Sequence, residues 1–508
     1  MQKAAEWSQL RDDRGLRVDI GGTKILLVRD GGAVCAYSAL CPHANGPLEE
    51  GAVCNGRIVC PWHKGAFRVS DGTLLEPPPL DPLPRYPVEV RDDGIYVDPT
   101  EIPRAPATRS HDDRVVLIAG AGAAGGSAAA ALREFGFGGR VLLVGHEGPP
   151  PFDRTSLSKF VMAGQMKPQD APPLRPAGFY AAQQIERVGQ EVLRLDAAGR
   201  RAVLADGREI AFDAAVIATG GVPKSLDIPG ADLPGVHVLR SQQDAAAILA
   251  DVRPGARAVI LGSSFIGLEV ASGFVEQKVA VSVVAPVHVP FAPQFGPRIG
   301  AAIRTLHEAH GVQFHLPAQA ARINGDGHAA GVVLEDGMRL PADLVVIGVG
   351  VRPATDFVAG IPRGDDGSLA ADAGMRVAEG IYAAGDIASF PLPQDQRRVR
   401  VEHWRVAQEH ARIAASNIAG GRASYDDVPF FWTYHYGKRI EYLGHAESWD
   451  EIEIDGELGE MRFLALLLRR GMVAAIVACQ RERETALLAE PMRHALCRAE
   501  AREILRRA

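Results

Sequence analysis

The strongest constraint on how this chain folds is a pattern that it carries twice. The apolar run RVVLIAG (114–120) ends on glycine, and an alanine-rich stretch, GAAGGSAAAALREFG, leads to a second apolar run, RVLLVGHE. The same order returns as RAVILG (257–262), SSFIGLEVASGFVEQ and VAVSVVA, with Gly262 lying 142 positions after Gly120. Short runs that are apolar throughout suit strands buried on both faces, and a helix between two of them closes a parallel crossover. The repeat therefore predicts two α/β dinucleotide-binding domains.

The glycines carry the chemistry of the first unit. In GAGAAG, Gly120 permits a tight turn, Gly122 lets a pyrophosphate approach the backbone, and Gly125 permits close helix–strand packing, with Ala124 between them. Glu147 ends the next strand, where a carboxylate can accept hydrogen bonds from a ribose. The second unit reads GSSFIG and keeps Gly262 and Gly267, with Ser264 in the middle position. Serine is small enough for a pyrophosphate still to sit at the helix N-terminus. Its next strand ends at Ala285, where an acidic side chain normally selects NAD, and no arginine follows to hold a 2′-phosphate.

Before these units the chain reads as all-β, with short runs such as RIVC and YPVEV between DGG, SDG and DDG turns. Within it lies CPHANGPLEEGAVCNGRIVCPWH (41–63), which interleaves Cys41, His43, Cys60 and His63. Each loop offers one cysteine and one histidine. That suits a [2Fe–2S] centre with two thiolates on one iron and two imidazoles on the other, and a structural zinc site is the alternative. Cys35 and Cys54 read as small buried hydrophobes. Prolines cluster at 76–87 and 98–113 and mark an extended connector.

The expected organisation is an all-β metal domain at 1–100, a linker at 101–112, and a first nucleotide domain at 113–250. A second nucleotide domain at 251–375 follows, and its resemblance to NAD(P)H-dependent flavoprotein reductases, where the chain returns at AGD, implies that it is inserted in the first, which resumes at 376–424. An α+β domain at 425–508 is expected to end in one long helix.

CPH…CPWH with FRVSDG beyond resembles a Rieske domain. Asn45 and Lys64 stand where that family usually carries glycine, which implies slightly rearranged loops. Ala66 and Phe67 replace the hydroxyl residues of its high-potential branch, which implies a low-potential, ferredoxin-like cluster. GAGAAG, ATGG (218–221) and IYAAGD (381–386) together resemble the FAD-binding fold of ferredoxin-reductase-like flavoproteins. By that resemblance Ala218, Thr219, Gly220, Gly385 and Asp386 contact FAD, and NAD(P)H is the substrate, with NADH favoured.

FDR…LSK (152–159), VEHWRVAQEHA (401–411) and VPFFWTYHYG (428–437) resemble oxygenase-coupled ferredoxin reductases and apoptosis-inducing-factor-like proteins. The resemblance places Arg154, Lys159, Glu402, His403, Trp404 and Trp432 around the flavin, with Lys159 near the isoalloxazine and Glu269 beside the nicotinamide. No cysteine occurs in 149–164, so thiol–disulfide chemistry at the flavin is not expected.

The implied activity is hydride transfer from NAD(P)H to FAD, then single electrons to the cluster. An acceptor protein, an oxygenase or a ferredoxin, would meet an exposed histidine edge. An oxidase or quinone reductase, or an NADH-sensing signalling protein, are the alternatives. A net charge of −7 argues against a nucleic-acid partner. The polar N-terminus and the absence of a long apolar run point to a cytoplasmic, soluble protein whose other cysteines stay reduced. A homodimer is compatible with the sequence.

Overall fold

The computed structural model of the chain describes residues 1–105, 107–148 and 150–507. Residues 2–97 form three small antiparallel sheets. The one that carries the metal loops runs Ala52–Cys54, Arg57–Val59, Ala66–Arg68 and Leu74–Glu76. Cys41 and Cys60 belong to the core of this region, packed with Leu26, Val28, Tyr37 and Phe67.

The two metal loops close identically. The Cys41 N–H donates to the Gly46 carbonyl and the Asn45 N–H to the Cys41 carbonyl, both at 2.9 Å. The Cys60 N–H likewise donates to Gly65 at 2.9 Å, and the Lys64 N–H to Cys60 at 3.2 Å. Asn45 and Lys64 take φ of 59° and 57°, the left-handed conformation that glycine adopts at no steric cost. The expected rearrangement is therefore absent: both loops keep the glycine-type turn, and both residues bear its strain.

The first α/β unit holds a six-stranded sheet ordered Ile185–Val188, Arg140–Val144, Val115–Ala119, Ala214–Ile217, Ile381–Ala383, Arg376–Ala378. All neighbours are parallel except the last pair. The second unit is a parallel sheet ordered Val236–His237, Leu344–Ile347, Arg257–Leu261, Ala280–Val284, Gln313–His315. This sheet begins ahead of the expected residue 251, and Val358–Ala359 is already back in the first unit, beside Val192–Asp196. Strands of two residues carry no periodicity, so the sequence does not mark the crossing. Gly221–Pro223 pairs antiparallel with Val351–Pro353, so the chain leaves and returns side by side.

The C-terminal region is a five-stranded antiparallel sheet ordered Phe430–His435, Lys438–Gly444, Met472–Cys479, Arg462–Arg469, Glu451–Glu457. The long closing helix is divided into Glu482–Ala489 and Arg498–Arg507. Pro491, which opens a short 3-10 turn between them, cannot continue the first helix.

Buried charges tie the metal domain to the rest. Lys64, 1% exposed, donates to both Glu441 carboxylate oxygens at 3.0 and 2.9 Å and to the Pro61 carbonyl. Thr485 donates to the same carboxylate. Arg405, on helix Trp404–Ile418, donates to the Pro77 carbonyl at 2.9 Å and to Val428 at 3.0 Å, and pairs with Glu76 and Asp427. The proline-rich connector is itself pinned. Ile102 donates to Arg85 at 2.8 Å and Ser110 to Gly136 at 2.9 Å, while Pro106 lies outside the described residues.

Removing one partner of a buried ion pair strands the other charge, at a cost of about 3–5 kcal/mol. Glu441→Met is therefore expected to lower the urea midpoint sharply. Lys64→Met/Glu441→Met should recover most of the loss. A single variant as stable as the parent would show that this pair does not hold the interface.

Candidate active site

Helix Ala123–Glu134 starts at Gly122, and no side chain caps it, so its first N–H groups are left for another acceptor. A Cβ on Gly125 would lie 1.7 Å from the Gly120 carbonyl oxygen, whereas one on Gly122 would meet nothing within 4 Å. The first glycine is fixed by helix–strand packing. The second opens onto space that a pyrophosphate can fill.

That space is one end of a cavity of about 950 Å³, within the range for a cofactor the size of a dinucleotide. Gly120, Gly122, Ala124, Glu147, Arg154 and Lys159 line it; so do Ala218, Thr219, Gly220 and Glu269. Gly385, Asp386, Glu402, His403, Trp404 and Trp432 complete the expected residues on its wall, while Gly125 packs behind it. The middle of the wall is charged. Arg154 donates to Glu147 at 2.6 Å and to the Arg240 carbonyl, and the Arg240 guanidinium lies 3.4 Å from Asp386. Lys159 lies 3.2 Å from Glu269 and 5.8 Å from the centre of the Trp432 ring.

Gly262, Ser264 and Gly267 are not on this wall, although their neighbours Phe265 and Ile266 are. The Ser264 hydroxyl accepts from the Gly267 N–H at 3.2 Å and so caps helix Phe265–Glu276 itself. One donor that the first unit leaves free is satisfied here.

Arg240 went unnoticed in the sequence. It stands as a lone arginine before SQQD, a pattern that signals a helix start and nothing about a cofactor. Asp244 accepts from the Arg240 and Ser241 N–H groups at 3.0 and 2.8 Å, so the capping turn of helix Gln242–Asp251 sets Arg240 in the cavity wall. Phe431 and Ser158, also on the wall, lie within the VPFFWTYHYG and FDR…LSK segments, where their apolar and small side chains did not single them out.

The metal loops meet the far end of the cavity. His63 sits with its ring centre 4.1 Å from that of Trp432, and His43 at 6.5 Å. The Nδ1 atoms of His43 and His63 are 3.0 Å apart, and the Cys41 and Cys60 side chains are buried together in one core cluster. Burial holds both imidazoles below their ordinary pKa, His63 well below it, so each keeps a bare nitrogen. Among the described residues no group of three or more His, Cys, Asp or Glu side chains is placed around a single metal ion. The donors are sorted instead into a sulfur pair and a nitrogen pair, as a two-iron cluster requires and a single zinc does not. The histidine edge is less exposed than expected, with His63 buried and His43 partly exposed. It faces the cavity of its own chain.

Residues 114–411 match the family described as Pyridine nucleotide-disulphide oxidoreductase, and residues 1–87 match the Rieske [2Fe-2S] domain. The chain belongs to the pyridine nucleotide-disulphide oxidoreductase family. It is 33% identical over 495 residues to apoptosis-inducing factor 3 of Mus musculus, covering 94% of this chain and 80% of that protein. It is 36% identical over 373 residues to the ferredoxin–NAD(+) reductase component of the biphenyl dioxygenase system of Paraburkholderia xenovorans (strain LB400), covering 73% and 90%. Among solved structures it is similar to the ferredoxin reductase for the CYP199A2 system from Rhodopseudomonas palustris. There the TM-score is 0.72 at 30% identity, over 76% of this chain and 96% of that one. The covalent putidaredoxin reductase–putidaredoxin complex gives 0.72 at 27% identity, over 78% and 99%.

This member of the oxidoreductase family is an FAD-dependent enzyme with a fused Rieske [2Fe–2S] domain. Despite the family's name, no cysteine lines the cavity among the described residues. No helix among them is long and apolar enough to cross a membrane.

His403 packs against Phe431 at 4.3 Å between ring centres, and burial lowers its pKa to about 3. In the unfolded chain this imidazole takes up a proton below about 6.5, in the folded one only below about 3, so acid favours unfolding across that window. His403→Phe is expected to lose less stability than the parent between pH 7 and pH 4 in parallel urea titrations. Equal losses would remove His403 from the acid-sensitive set.

Proposed function

We propose that the protein oxidises NADH and sends the electrons, one at a time, through its own Rieske domain to an acceptor protein such as an oxygenase or a ferredoxin. The observation that carries this reading is the contact of His63 with Trp432, a residue of the cavity wall. FAD, when bound, takes two electrons together as a hydride and releases them singly, which is the conversion a two-iron cluster needs.

Each part of the wall has a task in this reading. Gly120, Gly122, Ala124 and Gly125 admit the pyrophosphate, with Glu147 on the ribose. Ala218, Thr219, Gly220 and Gly385 bring backbone close to the cofactor, and Arg154, Arg240 and Asp386 hold its central, charged part. Lys159 supplies positive charge where the isoalloxazine gains negative charge. Glu402, His403 and Trp404 close the ring side. Gly262, Ser264 and Gly267 hold the pyrophosphate of NADH, so that Phe265, Ile266 and Glu269 face the nicotinamide. Holding both rings together makes hydride transfer effectively unimolecular.

Cys41, Cys60, His43 and His63 hold the cluster, and Trp432 fills the gap between ring and imidazole. The name of the dioxygenase-system ferredoxin–NAD(+) reductase supports NADH, and the ferredoxin named there and in the CYP199A2-system reductase supports a protein acceptor. With His63 turned inward, His43 and Trp62 are the partly exposed side of the cluster shell that a partner would meet. Trp62 lies beneath Arg439 at 5.0 Å and borders an open groove with Arg14, Arg17 and Arg483.

Anaerobic addition of NADH should bleach the flavin and then give the electron paramagnetic resonance signal of a reduced Rieske cluster. Bleaching with no cluster signal would overturn the proposal, and rapid oxygen uptake without a partner would favour an oxidase. Trp432→Leu is expected to slow cluster reduction by about tenfold relative to flavin bleaching in the same variant, equivalent to about 1.4 kcal/mol of barrier.

A further inference from the structure

A hydride brings one proton and two electrons to the active site, but the cluster accepts only electrons. In the proposed function, on which the following rests, the balance is NADH + 2 oxidised clusters → NAD⁺ + H⁺ + 2 reduced clusters. One proton per NADH must therefore leave the neighbourhood of Lys159 and Glu269. The structure places a line of proton-carrying side chains there that no step described so far uses.

Glu269 is 4% exposed, and both of its carboxylate oxygens are occupied. Lys159 and the Ser158 hydroxyl hold it on the cavity side. On the other side Thr433 donates to Oε1 at 2.8 Å, and the Thr433 oxygen lies 3.0 Å from His435 Nε2. The His435 ring centre is 5.1 Å from that of His307, whose Nδ1 is 3.1 Å from the Tyr436 hydroxyl. His310, exposed on the surface, stacks on Tyr436 at 3.8 Å with planes 7° apart. Thr433, His435 and His307 are each 0% exposed. His307 Nε2 has no hydrogen-bond partner among the described residues, an arrangement that a core selected only for stability would avoid, and His435 Nδ1 has only the Leu268 backbone carbonyl close to it.

We propose that Thr433, His435, His307 and Tyr436 form a proton exit from Glu269 to the surface at His310, with one water joining His435 Nδ1 to His307 Nε2. The hydrogen bonds can reverse. With Glu269 ionised, Thr433 donates to it and accepts from His435 Nε2–H. For a proton to leave, the Glu269 O–H donates to Thr433, the Thr433 hydroxyl donates to a bare His435 Nε2, and His435 Nδ1–H gives its proton to the water. The Nε2–H form is the state left behind, and the ring returns its hydrogen to Nδ1 before the next proton. Burial keeps both imidazoles neutral, so each can accept at one nitrogen and donate at the other. Thr433, His435 and His307 serve here as relay residues, remote from the reacting atoms.

The test uses the full chain, as purified with FAD and cluster, in anaerobic rapid mixing with NADH. Cluster reduction and proton release to an indicator dye are followed together, in H₂O and D₂O. Thr433→Val keeps shape and removes the hydroxyl, and His435→Ala opens room for a carrier. Both are expected to leave flavin bleaching intact, to slow proton release and cluster reduction by about tenfold or more, and to enlarge the solvent isotope effect. Added imidazole should restore His435→Ala and not Thr433→Val. ¹⁵N resonances of the cofactor-free chain should show His435 as the Nε2–H tautomer. A charged imidazolium at His435 near neutral pH, or parental rates in both variants, would overturn the relay. Failure of the parent itself to reduce its cluster would instead overturn the proposed function.

Discussion

The placement of His63 on Trp432 depends on two buried charges. Lys64, next to His63 in the chain, is locked to Glu441, and Arg405 joins Glu76 of the metal domain to Asp427. Such pairs contribute little net stability over apolar packing, because removing both ions from water costs nearly what their attraction returns. They are strict about geometry instead. A lysine ammonium sealed at 1% exposure tolerates no arrangement that moves its carboxylate away, so the metal loop has one position on the reductase. Lys64 also lies 5.1 Å from the ring of Phe430, two residues before Trp432, which ties the same cation to the strand that receives the imidazole.

This explains why a strained lysine stands in a loop that glycine would close freely. The left-handed turn at Lys64 costs conformational energy that Gly65, one residue later, could not relieve. A glycine at position 64 would lack the ammonium. Asn45, with the same turn in the first loop, faces no such partner, and its short polar side chain is among those that bear this conformation best. Two loops with one backbone therefore differ in side chain because only one of them is an anchor.

The sequence was most legible where function needs particular atoms at fixed spacing. Interleaved Cys and His come together in two matching loops, and the glycines of the first turn and AGD line or back the cavity, because each is set by local backbone. The inserted second sheet was legible in its long strands and illegible at its two-residue edges. The docking of the metal domain was not legible at all. Its deciding pairs are 377 positions apart for Lys64 and Glu441, and 329 for Glu76 and Arg405, and neither pair has a local pattern. Arg240 stayed hidden for a related reason: a helix cap positions it, and the cap advertises only the helix.

Strand Phe430–His435 shows how these parts can work without interfering. Side chains on a strand alternate between faces. Phe430 and Trp432 therefore turn to Lys64 and His63, while Phe431, Thr433 and His435 turn to the core around Phe265, Glu269 and His307. In the proposed scheme one strand carries electrons on one face and protons on the other, and the backbone between them keeps the routes apart. A slip of one residue in its pairing with Lys438–Gly444 would exchange the two faces. Glu441, on that partner strand opposite Trp432, is the carboxylate that holds Lys64. The register that separates the two routes is thus set by the same strand that fixes the metal domain in place.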